Sequence, residues 1–122
     1  MVTLNWVTNG GRPSDWLYLN NLDLEHEAAT FAVYVIWHGA WNTQTAARTV
    51  RVGQGLVKSR LTAHLGDPAI RYYERFGPLL VTWAGVTVAQ ADGVENYLAN
   101  RLNPLVGERF PNVLPIAVNL PW

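Results

Sequence analysis

Phe31-Ala32-Val33-Tyr34-Val35-Ile36-Trp37 is an uninterrupted run of aromatic, branched and small apolar residues. Such a run reads as a buried strand. The polar stretch from His38 to Arg48 reads as a long hairpin connection. Thr49-Val50-Arg51-Val52 then returns as the partner strand, ended by Gly53-Gln54-Gly55, and Pro78-Leu79-Leu80-Val81-Thr82-Trp83-Ala84 supplies a third strand.

Working outward, Leu56, Val57, Leu61 and Leu65 outline one face of a helix that Gly66-Asp67-Pro68 stops. Asp92 can cap a second helix whose stripe is Val94, Tyr97, Leu98 and Leu102, ended by Asn103-Pro104 because the residue before proline leaves the helical region. Before the strands, Asn9-Gly10-Gly11-Arg12-Pro13-Ser14 is a loop. Ser14 or Asp15 can cap a short helix carrying Trp16, Leu17, Leu19, Leu22 and Leu24. The order helix, strand, strand, helix, strand, helix predicts an α+β fold, a small three-stranded antiparallel sheet flanked by helices. Residues 1–122 form one domain in this reading: an extension over 1–30, a core over 31–107 and a Pro-rich packed tail over 108–122.

Composition narrows the class. Of 122 residues, 49% are hydrophobic and 15% charged, which makes a core-forming chain and excludes a disordered one. The absence of cysteine excludes disulfide scaffolds and cysteine-zinc sites. Met1 to Trp6 lacks the basic start and apolar run of a signal peptide. Ala28 to Ala47 lacks formal charge, yet Thr30, His38, Gly39 and Asn42 to Thr45 interrupt it too often for a membrane span. The expectation is a soluble cytoplasmic domain with no membrane partner.

The formal net charge of zero conceals an uneven distribution. Between Arg48 and Arg75, the bases Arg48, Arg51, Lys58, Arg60, Arg71 and Arg75 face only Asp67 and Glu74, a net +4. Arginine's planar fork suits phosphate, although pairs such as Arg71/Glu74 also fit a solvated helix face. Six tryptophans are scattered over the elements. They read as a sugar or base-stacking platform or, with more weight, as core and tail anchors, with Trp41 the most exposed.

Several motifs fail on inspection. Gly53-Gln54-Gly55-Leu56-Val57-Lys58-Ser59 lacks the glycine that a phosphate loop needs before its lysine. His26-Glu27 has threonine where the second zinc ligand of a metalloprotease helix would stand.

One constellation remains. Tyr34 lies in a strand, Gly53 ends the next, Arg60 and His64 share a helical face at i and i+4, and Glu95 borders the last apolar stripe. A phenol, a guanidinium, an imidazole and one carboxylate suffice for phosphodiester hydrolysis with a divalent metal. Read singly, Tyr34 is equally a core aromatic, and His64 a partner of Asp67 at i+3. Asp92-Gly93-Val94-Glu95 has capping-box spacing, which would make Glu95 a helix-start residue facing the positive end of the dipole.

From Phe31 to Gly107 the chain resembles the GIY-YIG endonuclease superfamily. Ala32-Val33-Tyr34 is similar to the first motif, Arg51-Val52-Gly53 to the second, and Lys58-Ser59-Arg60-Leu61-Thr62-Ala63-His64 to the arginine helix. Glu95 with Pro104 resembles the metal-binding helix and the proline beyond it. The resemblance implies a three-stranded antiparallel sheet and a one-metal DNA nuclease. In it Glu95 holds Mg²⁺ or Mn²⁺, Tyr34 is the general base or orients the water, and Arg60 stabilises phosphoryl charge. His64 assists the leaving side or positions a phosphate, and Arg51, Lys58 and Arg71 bind substrate phosphates. A dimer or protein partner would add the DNA affinity that a neutral chain lacks.

The chain departs from the family at Ala32, where the motif has glycine, at Arg51, where it has tyrosine, and at Gly107, where it has asparagine. Two other readings therefore stand beside the nuclease: a catalytically degenerate module binding nucleic acid or protein, and a Trp-rich small-ligand domain.

Overall fold

The apolar run at Phe31 becomes the spine of the molecule. A computed structural model describes residues 1–12, 15–39, 48–107 and 110–122. The strands are β1 (Leu17–Tyr18), β2 (Phe31–His38), β3 (Arg48–Leu56) and β4 (Leu79–Gly85), and the helices are α1 (Val57–Leu65), α2 (Pro68–Arg71) and α3 (Val88–Leu102). The sheet order is β1-β4-β2-β3, and every pairing is antiparallel. Among the described residues no helix is long and apolar enough to cross a membrane.

The α+β class and antiparallel sheet follow the sequence reading, but the sheet has four strands rather than three. The fourth is β1, which lies where a short helix was expected. Leu17 and Tyr18 pair with Val81 and Leu80, so the exposed edge of β4 captures this segment before it can coil. Leu19–Asn21 then makes only a single 3₁₀ turn. Ser14 lies outside the described residues, and so does Trp41.

Because β2 is central, both of its faces are covered. Ala32, Tyr34 and Ile36 pack with Val57, Leu61 and Ile70 from the helices that follow β3. Val33, Val35 and Trp37 pack with Val94 and Leu98 of α3 and with Leu4 and Val118. Full burial of each large apolar side chain contributes about 1.5–3 kcal/mol. Tyr34 stands opposite Gly53 on β3 and Trp83 on β4. Val50 is an extra residue, because Ile36 pairs with Arg51 while Trp37 pairs with Thr49. The bulge sharpens the local twist.

Two helix ends carry most of the site. In α1 the buried residues are Val57, Leu61 and His64, so a histidine completes the apolar stripe. α3 starts five residues earlier than the Asp92 cap implies: Thr87 is the N-cap, and its Oγ1 accepts the Gln90 N–H at 3.2 Å. Asn103, in the left-handed region at φ 48°, closes the helix.

Both chain ends are fastened across α3's side of the sheet. Val2 and Val118 form an isolated parallel bridge. The Asn119 side chain accepts the Leu4 N–H at 2.6 Å and donates to the Leu4 carbonyl at 2.9 Å. Ile116 presses on Gly93 of α3 so closely that a Cβ there would lie 2.6 Å from Ile116 Cγ1. After α3, the N–H groups of Leu105 and Val106 donate to the carbonyls of Thr49 and Val50, covering part of β3's outer edge.

Candidate functional site

Tyr34 is the largest fully buried side chain, and its hydroxyl meets His64 Nε2 at 2.5 Å. Two local features create that contact. Tyr34 and His64 both point into the layer between β2 and α1, and Gly53 opposite Tyr34 has no side chain. A Cβ on Gly53 would collide with the Tyr34 hydroxyl and Cζ.

His64 is only 5% exposed, and burial lowers its pKa to about 4, helped by the positive charges of Arg51 and Arg60. The imidazole is therefore neutral at neutral pH. In its Nδ1–H tautomer, Nε2 accepts the phenol proton. His64 thus pairs across the core with Tyr34, where i+3 spacing suggested Asp67. Asp67 instead caps α2 by accepting the Ala69 N–H at 2.9 Å.

The two arginines are each seated on a glycine. Arg60 is exposed, and its stem lies over Gly55, whose φ of +138° and missing Cβ leave the space. Arg51 lies against Gly107, where a Cβ would come within 2.6 Å of its Nη1. The Arg51 Nε is buried and has no hydrogen-bond partner among the described residues. Arg51 and Gly107, two departures from the GIY-YIG pattern, are thus in contact with each other.

Glu95 occupies the buried face of α3 with Ala91, Val94, Leu98 and Ala99. Burial raises its pKa, against the lowering effects of the Gln54 hydrogen bond and of Arg51 and Arg60; Asp92 adds to the rise. Gln54 Nε2 donates to Glu95 Oε2 at 2.8 Å and to Asp92 Oδ1 at 2.6 Å. With Thr87 as the cap, Glu95 sits in the second turn and does not cap the helix. The dipole's positive end, felt mainly within the first turn, is correspondingly remote.

Charge therefore links the expected catalytic residues: Arg51 and Arg60 act on both His64 and Glu95. Tyr34 joins them through His64. Lys58 is exposed on α1 and has no described contact with this group. Arg71 is committed elsewhere, to Glu74 at 2.7 Å, to Asn20 Oδ1 at 3.0 Å and to the Leu65 carbonyl at 3.3 Å. Gln54 and Asp92 were not foreseen as site residues. Gln54 lies in a Gly-Gln-Gly segment that reads as a strand end, and its reach to α3 has no trace in sequence periodicity.

Among the described residues no group of three or more His, Asp or Glu side chains surrounds a common point. Mg²⁺ keeps several of its waters and is often bound through one or two carboxylates. A buried carboxylate at Glu95 with Asp92 at its side fits that demand. Compared with known proteins, the chain matches no family model, no curated protein and no solved structure.

Proposed function

We propose that this chain is a metal-dependent nuclease of GIY-YIG type that hydrolyses DNA phosphodiesters in the cytoplasm. The observation that carries the reading is the Tyr34 hydroxyl on a neutral His64, beside two arginines whose charge also reaches Glu95. A general base must be unprotonated and within hydrogen-bond reach of the proton it takes. His64 meets both conditions towards Tyr34, whose fully buried hydroxyl can meet the attacking water only when substrate binding uncovers it. As the water oxygen bonds to phosphorus and the bridging P–O bond breaks, the water proton passes to the phenol oxygen, the phenol proton passes to His64 Nε2, and the leaving oxygen takes a proton from solvent. Arg60 and Arg51 stabilise the charge that develops on the non-bridging oxygens.

Glu95, with Asp92 beside it, would hold Mg²⁺ or Mn²⁺, which polarises the phosphoryl group when bound. Gln54 keeps the Glu95 carboxylate aimed by holding Oε2.

A second reading, the same fold as a non-cleaving nucleic-acid module, is favoured by Arg51. Its guanidinium fills space against Gly107 and binds phosphate well, but it is a poor proton carrier. One experiment separates the two. Supercoiled plasmid, single-stranded DNA and RNA are incubated with Mg²⁺ or Mn²⁺ and either wild type or Glu95→Ala. Cleavage by wild type that vanishes in the variant supports the nuclease. No cleavage of any polymer by folded wild type rejects it in favour of the binding module, and cleavage that survives the substitution rejects the role of Glu95.

A further inference from the structure

Trp16, Trp37 and Trp122 wall a cavity of about 220 Å³ that Arg48 and Thr49 also line among the described residues. Trp37, at the floor, is 6% exposed, and Trp122, at the mouth, is 57% exposed. The Trp37 and Trp122 rings lie 4.9 Å apart at 55°, and Trp16 meets both at close to a right angle. At these distances the three indoles touch one another, so the cavity lies against the cluster rather than between its rings.

We propose that this cavity is a nucleotide-binding site in which the base lies against the indole cluster and the phosphate lies on Arg48. Size is the first argument. At about 30 Å³ per water, the space holds about seven waters, which suits one base and is below the roughly 300–1,000 Å³ of drug-sized pockets. Shape is the second, since rigid aromatic walls select a flat ligand and stack any base. Charge is the third. Cages of this kind commonly take quaternary ammonium ions, but Arg48 is a like charge at the wall, and no carboxylate lines the cavity among the described residues. A guanidinium there favours an anion and grips phosphate with two parallel bonds. Sugars need several polar partners, and among the described residues Thr49 and Arg48 are the polar ones that line the cavity.

Position is the fourth argument. Trp37 pairs with Thr49 across the same two strands that place Tyr34 opposite Gly53. Trp37 lies about 10 Å further along β2 than Tyr34 and on the opposite face of the sheet, so the cavity is a separate site. The cavity shares no lining residue with the Glu95 site, so the inference stands independently of phosphodiester cleavage.

The test is calorimetric titration of the full chain with AMP, adenosine and tetramethylammonium, using wild type, Arg48→Ala, Trp122→Ala and Glu95→Ala. AMP binds wild type and Glu95→Ala alike. Arg48→Ala weakens AMP at least about tenfold while changing adenosine less than about twofold. Trp122→Ala weakens both ligands at least about tenfold, with an unchanged unfolding midpoint. Wild type that binds no AMP, or that prefers tetramethylammonium to AMP, overturns the proposal. So does AMP affinity indifferent to both Arg48→Ala and Trp122→Ala. Should Trp122→Ala fail to fold, the contrast between AMP and adenosine in Arg48→Ala decides alone.

Discussion

The hydroxyl of Tyr34 occupies space that only a glycine at position 53 leaves open. Gly53→Ala must therefore push the phenol away from His64 or bend β3. Overpacking of this kind costs about 1–3 kcal/mol. Urea unfolding is expected to show a lower midpoint with an unchanged slope. DNA cleavage should fall further than stability predicts, because the Tyr34–His64 hydrogen bond is lost as well.

His64 should titrate far below an ordinary histidine. Its pKa is about 4 in the folded protein against about 6.5 in an unfolded chain. Between those values the unfolded state binds more protons, so His64's contribution to stability is complete above about pH 6.5 and is lost as pH falls towards about 4. NMR titration of the imidazole should show no change until the pH nears 4. Urea midpoints should depend less on pH from 4 to 6.5 in His64→Asn than in wild type. A midpoint near 6.5 for His64 would refute its neutral role.

Glu95 has the opposite sign. Burial raises its pKa, so the folded state holds that proton to higher pH than the unfolded chain does. Its contribution to stability is full at low pH and is lost as pH rises through the folded value. Glu95→Gln removes a buried charge and keeps a side chain that can bond Gln54. At pH 7 it is expected to leave the unfolding midpoint unchanged or higher while lowering cleavage about 100-fold or more. A fall in stability with retained cleavage would mark Glu95 as structural.

Arg51 and Gly107 should behave as a coupled pair. Gly107 has φ +109°, a conformation that strains any other residue, and an alanine Cβ there would strike Arg51 Nη1. Gly107→Ala is expected to cost about 1–3 kcal/mol. Arg51→Ala relieves the collision but not the backbone strain, so the double variant should be less destabilised than the sum of the two. Arg51→Ala also removes a positive charge that lowers the His64 pKa, which should rise from about 4 on NMR titration.

The three long strands, α1 and the end of α3 were readable from apolar runs, glycines and the Asn103-Pro104 stop. Each depends on local chemistry. β1 was not readable, because two residues cannot declare a strand by pattern and their partner is more than sixty positions away. The start of α3 was missed because Asp92 offers a better cap by residue type than Thr87, and only the fold decides between them. At the site, residue types identified Tyr34, Arg60, His64 and Glu95 as candidates. The Gln54 bridge and the seat of Arg51 on Gly107 required the register of β3, which the bulge at Val50 shifts by one residue.

The bridge between Val2 and Val118 and the Leu4–Asn119 bonds join positions 115 or more residues apart. Closing a loop of this length has to be the costliest loop closure among the described contacts, and contacts this remote slow folding. The β2–β3–β4 meshwork, by contrast, draws on partners much nearer in sequence. Assembly should run from the middle outward, with the first residues waiting for the last. During synthesis the segment around Leu4 is made before its partners and docks after them, leaving the apolar surface around Leu4 and Val33 uncovered until Val118 and Asn119 have been made.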